Sequence, residues 1–122
     1  MSRELLVAVI DDDDPFRTAL AEMLGSWGHR VNDFASAEVF IAAGGEDSYD
    51  CIITDIHMPG MSGFDLKRLL AAGGSTKPVI MITARVEKSL EARAAASGAV
   101  CLLTKPFEMD SLLDCLARAS KH

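Results

Sequence analysis

Two patterns of hydrophobic and polar positions alternate along this chain. Short, nearly continuous apolar runs predict buried strands, and between them apolar residues recur every three or four positions, as on one face of a helix. The half-polar run Arg30–Phe34 is expected at an edge of the sheet. The five predicted strands are Leu5–Ile10, Arg30–Phe34, Cys51–Thr54, Val79–Thr83 and Ala99–Thr104.

Cap and turn residues mark the first three of the five predicted helices. Asp14 and Pro15 predict an N-cap followed by proline at the first helical position, and Gly28 predicts the end of that helix. Ser36 and Ser62 are the expected N-caps of the second and third helices.

Two further helices are expected in the second half of the chain. The segment Val86–Ser97 is rich in alanine and charge and poor in large apolar residues, so it predicts a weakly anchored helix. The last helix is expected over Met109–Ser120. Its predicted inward residues are Leu112, Leu113, Leu116 and Ala117.

This alternation of strands and helices predicts an α/β fold. Five βα units in series favour a five-stranded parallel sheet that is doubly wound, with right-handed crossovers and helices on both faces. The chain has 122 residues, 49% of them hydrophobic, which suffices for one core. We therefore expect a single domain over 1–122, with no output domain in this chain.

Composition narrows the possible partners. The net charge of −6 argues against direct nucleic-acid binding and against attachment to acidic membranes, and no apolar run is long enough to cross a bilayer. Cys51, Cys101 and Cys115 form no Cys-x-x-Cys pair and no zinc pattern. The sequence predicts that they are reduced core thiols in a cytoplasmic protein.

Charged and polar residues follow the predicted strands where each one ends. Asp11–Asp14 follows the first strand, and Asp55 follows the third. Thr83 ends the fourth strand, and Lys105–Phe107 follows the fifth. Because the carboxyl ends of parallel strands share one edge, where ligands bind in such sheets, these residues predict a polar site.

The charges of that site call for a cation. Two like charges about 4 Å apart repel by roughly 4 kcal/mol at an effective dielectric constant of 20. Asp11, Asp12 and Asp55 would bring three negative charges together against the single positive charge of Lys105. Mg²⁺, or Mn²⁺, suits such oxygen ligands. A carboxylate held beside a divalent cation and a lysine can act as a nucleophile toward phosphorus, with Thr83 available to bind the phosphate.

Taken in order, these motifs resemble one known family. The set Asp11–Asp12, Asp55, Thr83–Ala84 and Lys105–Phe107, with the loop Met58–Gly63, resembles the response-regulator receiver domain of two-component signalling. The resemblance covers essentially the whole chain. Each motif is weak alone, but the ordered set is highly specific. It implies a flavodoxin-like receiver fold.

The resemblance implies a role for each acidic residue. Asp55 would accept a phosphoryl group from a sensor histidine kinase or a histidine phosphotransferase. Asp12 would bind Mg²⁺ directly, and Asp11 would act partly through water. The backbone carbonyl of His57 would complete the protein ligands, while its side chain is expected to be partly exposed.

It also implies how the site responds to phosphate. Lys105 would pair with Asp55 and later with the phosphate, and the Lys105–Pro106 peptide bond would be cis. Thr83 would move to hydrogen-bond the phosphate, and Ala84 would leave room for it.

Three positions concern the lifetime of the phosphorylated state and the transmission of the signal to the surface. The side chains of His57 and Arg85 are expected to tune the phosphoryl lifetime. Leu102 departs from the family, in which this position is usually aromatic and its ring turns inward on activation. The usual coupling between threonine and ring is therefore in doubt here.

The implied function is a phosphorylation switch that changes the surface around the fourth helix, fifth strand and fifth helix. A downstream protein or a tethered output domain would read that surface, and a phosphorylation-dependent homodimer is possible. The domain would catalyse only its own phosphorylation and dephosphorylation, so it is not expected to be an enzyme in the usual sense.

Two alternatives remain open from the sequence. A phosphatase of the haloacid-dehalogenase type also uses an aspartyl phosphate, and Asp11-x-Asp13 fits its motif, although the usual Thr or Val is absent because Asp14 precedes Pro15. The other alternative is a receiver-like binding module that is never phosphorylated.

Overall fold

Five strands and five α-helices alternate along the chain in the computed structural model, which describes residues 4–121. A single 3₁₀ turn, Glu46–Ser48, precedes the third strand. The strands are β1 Leu6–Ile10, β2 Arg30–Phe34, β3 Cys51–Asp55, β4 Val79–Thr83 and β5 Cys101–Thr104. The helices are α1 Asp14–Ser26, α2 Ala37–Ala43, α3 Gly63–Ala72, α4 Lys88–Ser97 and α5 Met109–Ala119.

The strands form one parallel sheet in the order β2-β1-β3-β4-β5. The predicted α/β class is confirmed, and Arg30–Phe34 is an edge strand as its half-polar pattern indicated. After β1 the chain adds β2 on one side of this strand, and it then crosses over to add β3 on the other side. The switch point between β1 and β3 is where ligands bind in open parallel sheets.

Both faces of the sheet are covered by apolar residues. All five residues of β3 and all five of β4 are buried, which explains why these strands read as unbroken apolar runs. One core cluster packs α2, α3 and α4 against the sheet through residues such as Phe40, Leu66 and Leu90. The other packs α1 and α5 through residues such as Leu24 and Leu112. The loops that follow these strands therefore begin from rigid, buried backbone.

Side chains cap the first three helices. The N-cap of α1 is Asp13, whose carboxylate accepts a hydrogen bond from the Phe16 N–H at 3.2 Å. The prediction of Asp14 as this cap was wrong by one residue, because proline is accommodated at either of the first two helical positions. Ser36 and Ser62 cap α2 and α3 as predicted.

The fourth helix begins two residues later than predicted. Its N-cap, Glu87, makes no side-chain capping hydrogen bond, and the helix buries only Leu90 and Ala94. The expected weak anchoring is therefore present. β5 also starts later than predicted, because the Ala99 N–H bonds to the Ala94 carbonyl at the end of α4.

The inward face of the last helix differs partly from the prediction. Leu112 and Leu116 are buried as expected, but Leu113 is 43% exposed and Ala117 is also exposed. The buried stripe is completed by Cys115 and Ala119. The buried residues recur every three or four positions, as on one face of a helix. The prediction was wrong because it placed Leu113 and Ala117 on this face, where the structure has Cys115 and Ala119.

The orientation of α5 also explains why the prediction of three reduced thiols was wrong. Cys115 faces β5, and Cys101 and Cys115 form a disulfide with a Cα–Cα distance of 5.9 Å. Cys51 is free and buried. A spacing of fourteen residues gives no hint of this pair, because only the packing of α5 on β5 brings the two sulfurs together. Within residues 4–121, no helix has the length and apolar content needed to cross a membrane.

A glycine at the start of α3 provides a test of how tightly the site loop is packed. A Cβ on Gly63 would lie 2.6 Å from the Asp55 carbonyl oxygen and 3.0 Å from the Ile56 Cα. Since both are backbone atoms, we expect Gly63→Ala to lower the free energy of unfolding by about 2 kcal/mol in urea denaturation.

The matched control is Gly25→Ala in α1, where no atom lies within 4 Å of the added methyl group. This substitution should be neutral or stabilising by up to about 1 kcal/mol, since alanine favours helix. Equal stability of the two variants would show that the loop after β3 yields easily.

Candidate functional site

Three carboxylates meet at the carboxyl-terminal edge of the sheet. Asp11 and Asp12 follow β1, and Asp55 ends β3. One oxygen from each lies within 4.8 Å of the others. Asp11 and Asp55 are buried, whereas Asp12 is exposed. The convergence predicted from the strand ends is therefore present.

Lys105 supplies the positive charge inside this cluster. Its Nζ donates hydrogen bonds to Asp11 Oδ2 at 2.8 Å and to Asp55 Oδ2 at 3.1 Å. The ammonium also lies 4.1 Å from the centre of the Phe16 ring, which provides a cation–π contact from α1. The backbone N–H of Lys105 donates to the Thr83 carbonyl at 2.7 Å, and the Lys105–Pro106 peptide bond is cis.

The electrostatics of the cluster are unfavourable for the Asp55 charge. Burial raises the pKa of Asp55 above its ordinary value, and the neighbouring charge of Asp11 raises it further. The hydrogen bonds from Lys105 and from the His57 N–H oppose this shift only in part. Burial alone would lower the pKa of Lys105, but the two carboxylates that accept its hydrogen bonds raise it.

The three carboxylates differ in how many hydrogen bonds they already accept. Asp11 Oδ1 accepts from the Asp13 N–H at 2.9 Å, and its Oδ2 accepts from Lys105. Asp12 makes no side-chain hydrogen bond with the residues that the structure describes. Asp55 Oδ1 accepts from the His57 N–H at 3.1 Å. Asp12 is thus the most available carboxylate for a cation, whereas each oxygen of Asp11 and of Asp55 already accepts one hydrogen bond.

The charge and the chemistry of these donors fit a hard divalent cation. Three carboxylates and one ammonium leave a net charge of about −2 at this edge when all are ionised. Oxygen ligands are those that Mg²⁺ prefers, and Mg²⁺ commonly binds through one or two carboxylates while it keeps several waters. The residues present therefore suit Mg²⁺ or Mn²⁺.

The His57 side chain has a contact that the sequence did not reveal. Its Nδ1 lies 3.2 Å from Thr83 Oγ1, at hydrogen-bonding distance. Thr83 Oγ1 also accepts from the Arg85 N–H at 3.0 Å. Thr83 is buried and its hydroxyl bonds to these two residues rather than to Asp55. This contact gives the His57 side chain a direct connection to Thr83, in addition to the role expected for its carbonyl.

The remaining candidate residues surround this centre. Ala84 is exposed next to Thr83. The Arg85 guanidinium is 63% exposed and lies 3.9 Å from Glu87, so it is held loosely. Leu102 is partly buried and packs against the core cluster beneath α2, α3 and α4.

Two further residues hold the site and could not be singled out from the sequence. Phe16 lies at helical spacing with the core residues of α1, and that pattern gives no sign of its ring over Lys105. Glu38 from α2 accepts a hydrogen bond from the Met61 N–H at 2.8 Å and so pins the loop after β3. Its position in a helical segment carries no such signal.

Comparison with known proteins agrees with this site. Residues 7–117 match the family described as response regulator receiver domain. The chain is 41% identical over 120 residues to the transcriptional regulatory protein FixJ of Azorhizobium caulinodans, covering 98% of this chain and 56% of FixJ. It is 35% identical over 119 residues to the response regulator protein TmoT of Ectopseudomonas mendocina, covering 98% of this chain and 54% of TmoT. The chain thus spans about half the length of these curated relatives.

Solved structures show the same fold. The crystal structure of FixJ-N has 35% sequence identity and a TM-score of 0.89, with 100% of this chain and 97% of that chain covered. The Vibrio cholerae chemotaxis protein CheY4 has 27% identity and a TM-score of 0.85, with 96% and 99% covered. The predicted flavodoxin-like receiver fold is confirmed. This chain belongs to the response regulator receiver domain family and is a receiver domain of two-component signalling.

Proposed function

We propose that Asp55 is the phospho-acceptor of this receiver domain. The observation that supports this most is the environment of its carboxylate. One oxygen accepts from the His57 N–H and the other from Lys105, whose ammonium can follow the charge as it moves to phosphate oxygens. Asp11 accepts an equivalent pair of hydrogen bonds, from the Asp13 N–H and Lys105, but it is 1% exposed against 6% for Asp55, so Asp55 is the more accessible of the two.

Mg²⁺ or Mn²⁺ is the cofactor that this arrangement favours. Asp11, Asp12, Asp55 and the backbone carbonyl of His57 would hold it, Asp11 partly through water. No described residue donates a hydrogen bond to the His57 carbonyl, which leaves that oxygen available. When bound, the cation supplies charge neutralisation for the phosphoryl oxygens.

The switch follows from the new charge on Asp55. Phosphorylation takes that side chain from about −1 to about −2. Lys105 stays with the added charge, and Thr83 leaves His57 to hydrogen-bond the phosphate, with Ala84 giving it room. This movement draws in the exposed loop before α4, a helix that buries only two side chains. The surface of α4, β5 and α5 then changes for a partner, while Leu102 replaces the usual aromatic ring.

The phosphoryl donor in this proposal is a sensor histidine kinase or a histidine phosphotransferase. The relatives named above are regulators about twice the length of this chain, so the reader of the signal is a downstream protein or a tethered output domain. With a net charge of −6, this domain does not itself bind nucleic acid. We place it in the cytoplasm, as one receiver unit over 1–122, with homodimerisation on phosphorylation as a further possibility.

The proposed chemistry is limited to the domain's own aspartate. An Asp55 oxygen attacks the phosphorus of the donor, the donor group leaves, and water later removes the phosphoryl group. Receiver domains are not classical enzymes, and the family match sets aside the haloacid-dehalogenase alternative. A receiver-like binding module that is never phosphorylated is the alternative that experiment must address.

Intact-mass spectrometry tests the proposed acceptor. Wild-type protein incubated with acetyl phosphate and Mg²⁺ should gain one phosphoryl group, and omission of Mg²⁺ should reduce this at least tenfold. Asp55→Asn should gain none. Asp47→Asn, at an exposed carboxylate in the 3₁₀ turn, should behave like the wild type.

The alternatives give different masses. A phosphoryl group on Asp55→Asn would place the nucleophile at another residue. If the wild type gains no phosphoryl group from acetyl phosphate and none from phosphorylated histidine kinases, the domain is instead a binding module.

The lifetime of the phosphoryl group tests the contact between His57 and Thr83. His57→Ala removes a hydrogen bond that holds the hydroxyl away from Asp55, so it should slow dephosphorylation by roughly 2- to 12-fold, which corresponds to about 0.5–1.5 kcal/mol. The measurement is the decay of the phosphorylated mass after donor removal.

The control for this variant is Arg85→Ala. It deletes an exposed guanidinium but keeps the backbone N–H that donates to Thr83. It should change the decay rate less than His57→Ala does. Unchanged decay in both variants would dismiss a role for these side chains in the lifetime.

Thermal stability without metal tests the charge repulsion in the cluster. Asp55→Asn removes one of three negative charges, while Lys105 keeps its bond to Asp11. We expect the variant to be more stable by about 1 kcal/mol, which is roughly 3–5 °C in Tm for a chain of this size.

Added Mg²⁺ should raise the Tm of the wild type more than that of Asp55→Asn. A lower Tm for the variant in the absence of metal would show that the carboxylate stabilises the fold, contrary to the raised pKa of Asp55.

A further inference from the structure

The pair Cys101 and Cys115 lies outside the phosphorylation site and joins β5 to α5. We propose that this pair is a reversible redox site that reacts with small-molecule disulfides such as oxidised glutathione, with Cys101 as the attacking thiol and Cys115 as the resolving thiol. The two cysteines differ in access and in electrostatic surroundings, and both differences assign the same order of reaction.

Access favours Cys101. It is half-buried and lines a groove of about 260 Å³ between α4 and β5, together with Ala94, Ala99, Val100 and Leu102. This groove gives a reagent from solution a route toward Cys101. Cys115 is 4% exposed and belongs to the core cluster beneath α5. It can therefore react only with a sulfur already held at position 101.

Charge also favours Cys101. The Arg118 Nη1 lies 3.7 Å from Cys101 Sγ, while its Nη2 pairs with Asp114 at 2.8 Å. A guanidinium beside a sulfur favours the thiolate, which is the reactive form. Arg118 and Glu91 both line the groove, so a charged reagent meets one positive and one negative side chain there, and the positive one is beside the Cys101 sulfur.

The third cysteine provides an internal contrast. Cys51 is fully buried in β3, and burial raises the pKa of its thiol to about 12. It lies neither in the groove nor beside a guanidinium among the described residues. It should stay unreactive in the folded protein.

The reaction balances as two thiol–disulfide exchanges. The Cys101 thiolate attacks one sulfur of oxidised glutathione, a mixed disulfide forms, and one glutathione thiolate leaves. The Cys115 thiolate then attacks the Cys101 sulfur, and the second glutathione thiolate leaves. The two protons lost by the protein thiols go to the two glutathione thiolates. The protein is oxidised by two electrons, and glutathione disulfide is reduced.

The fold accommodates the bond and localises its effect. The Cα–Cα distance of 5.9 Å lies within the usual range for a disulfide. Cys101 starts β5, and Lys105 lies just beyond its other end, roughly 13 Å away at 3.3 Å per residue. The bond therefore fixes α5 to β5 without touching Asp55. In a reducing cytoplasm, such disulfides are usually transient and redox-sensing.

The experiment treats the reduced protein with oxidised glutathione and follows intact mass and alkylatable thiols over time. The wild type should lose two thiols and retain no glutathione. Cys115→Ser should retain one glutathione, which peptide mapping places on Cys101. Cys101→Ser should stay unmodified, and Cys51→Ser should behave like the wild type. Arg118→Gln should slow the first step about threefold, since the thiolate fraction it loses outweighs the gain in nucleophilicity.

A second measurement uses only the wild type, so it does not depend on the folding of variants. Closing a loop of this length should raise Tm by at least about 5 °C in the oxidised form relative to the form reduced with dithiothreitol. Glutathione retained on Cys101→Ser, three free thiols in treated wild type, or equal Tm values in the two forms would overturn the proposal. Asp55 phosphorylation should proceed at the same rate in both forms.

Discussion

The repulsion among Asp11, Asp12 and Asp55 is the constraint on which the rest of this structure depends. One oxygen from each of these three carboxylates lies within 4.8 Å of the others, and within residues 4–121 the positive charge that pairs with Asp11 and Asp55 is the ammonium of Lys105. The fold tolerates this repulsion because each of these side chains lies at the end of a buried strand or in the loop that directly follows one. The site is consequently suited to a cation, which relieves the imbalance and would also offset the further negative charge that a phosphoryl group on Asp55 adds.

Signal transmission is a consequence of the same arrangement. In this structure Thr83 is bound to His57 and Arg85 and not to Asp55. In the proposed switch, a phosphoryl group on Asp55 would therefore compete with an existing hydrogen bond of Thr83, and the free-energy difference between the two partners would set the population of the switched state. The loop that follows Thr83 is exposed, and α4 is weakly anchored, so this part of the fold can respond at low cost.

The sequence predicted what depends on strand order and missed what depends on packing. The apolar runs indicated a parallel sheet, and a parallel sheet brings its strand ends together, so Asp11, Asp55, Thr83 and Lys105 could be placed from sequence alone. The disulfide, the contact of His57 with Thr83 and the Phe16 ring over Lys105 depend on helix rotation and side-chain direction. No local pattern records these. The wrong inward face of α5 and the missed disulfide are one error, since both follow from the rotation of that helix.

A crystal structure with Mg²⁺ and trifluoroberyllate, a mimic of the phosphoryl group, tests the central account most directly. We predict beryllium on Asp55, fluorine contacts to Thr83 Oγ1 and Lys105 Nζ, and loss of the hydrogen bond between Thr83 and His57. Beryllium on Asp11, or a Thr83 hydroxyl that stays with His57 while Asp55 carries the mimic, would contradict it.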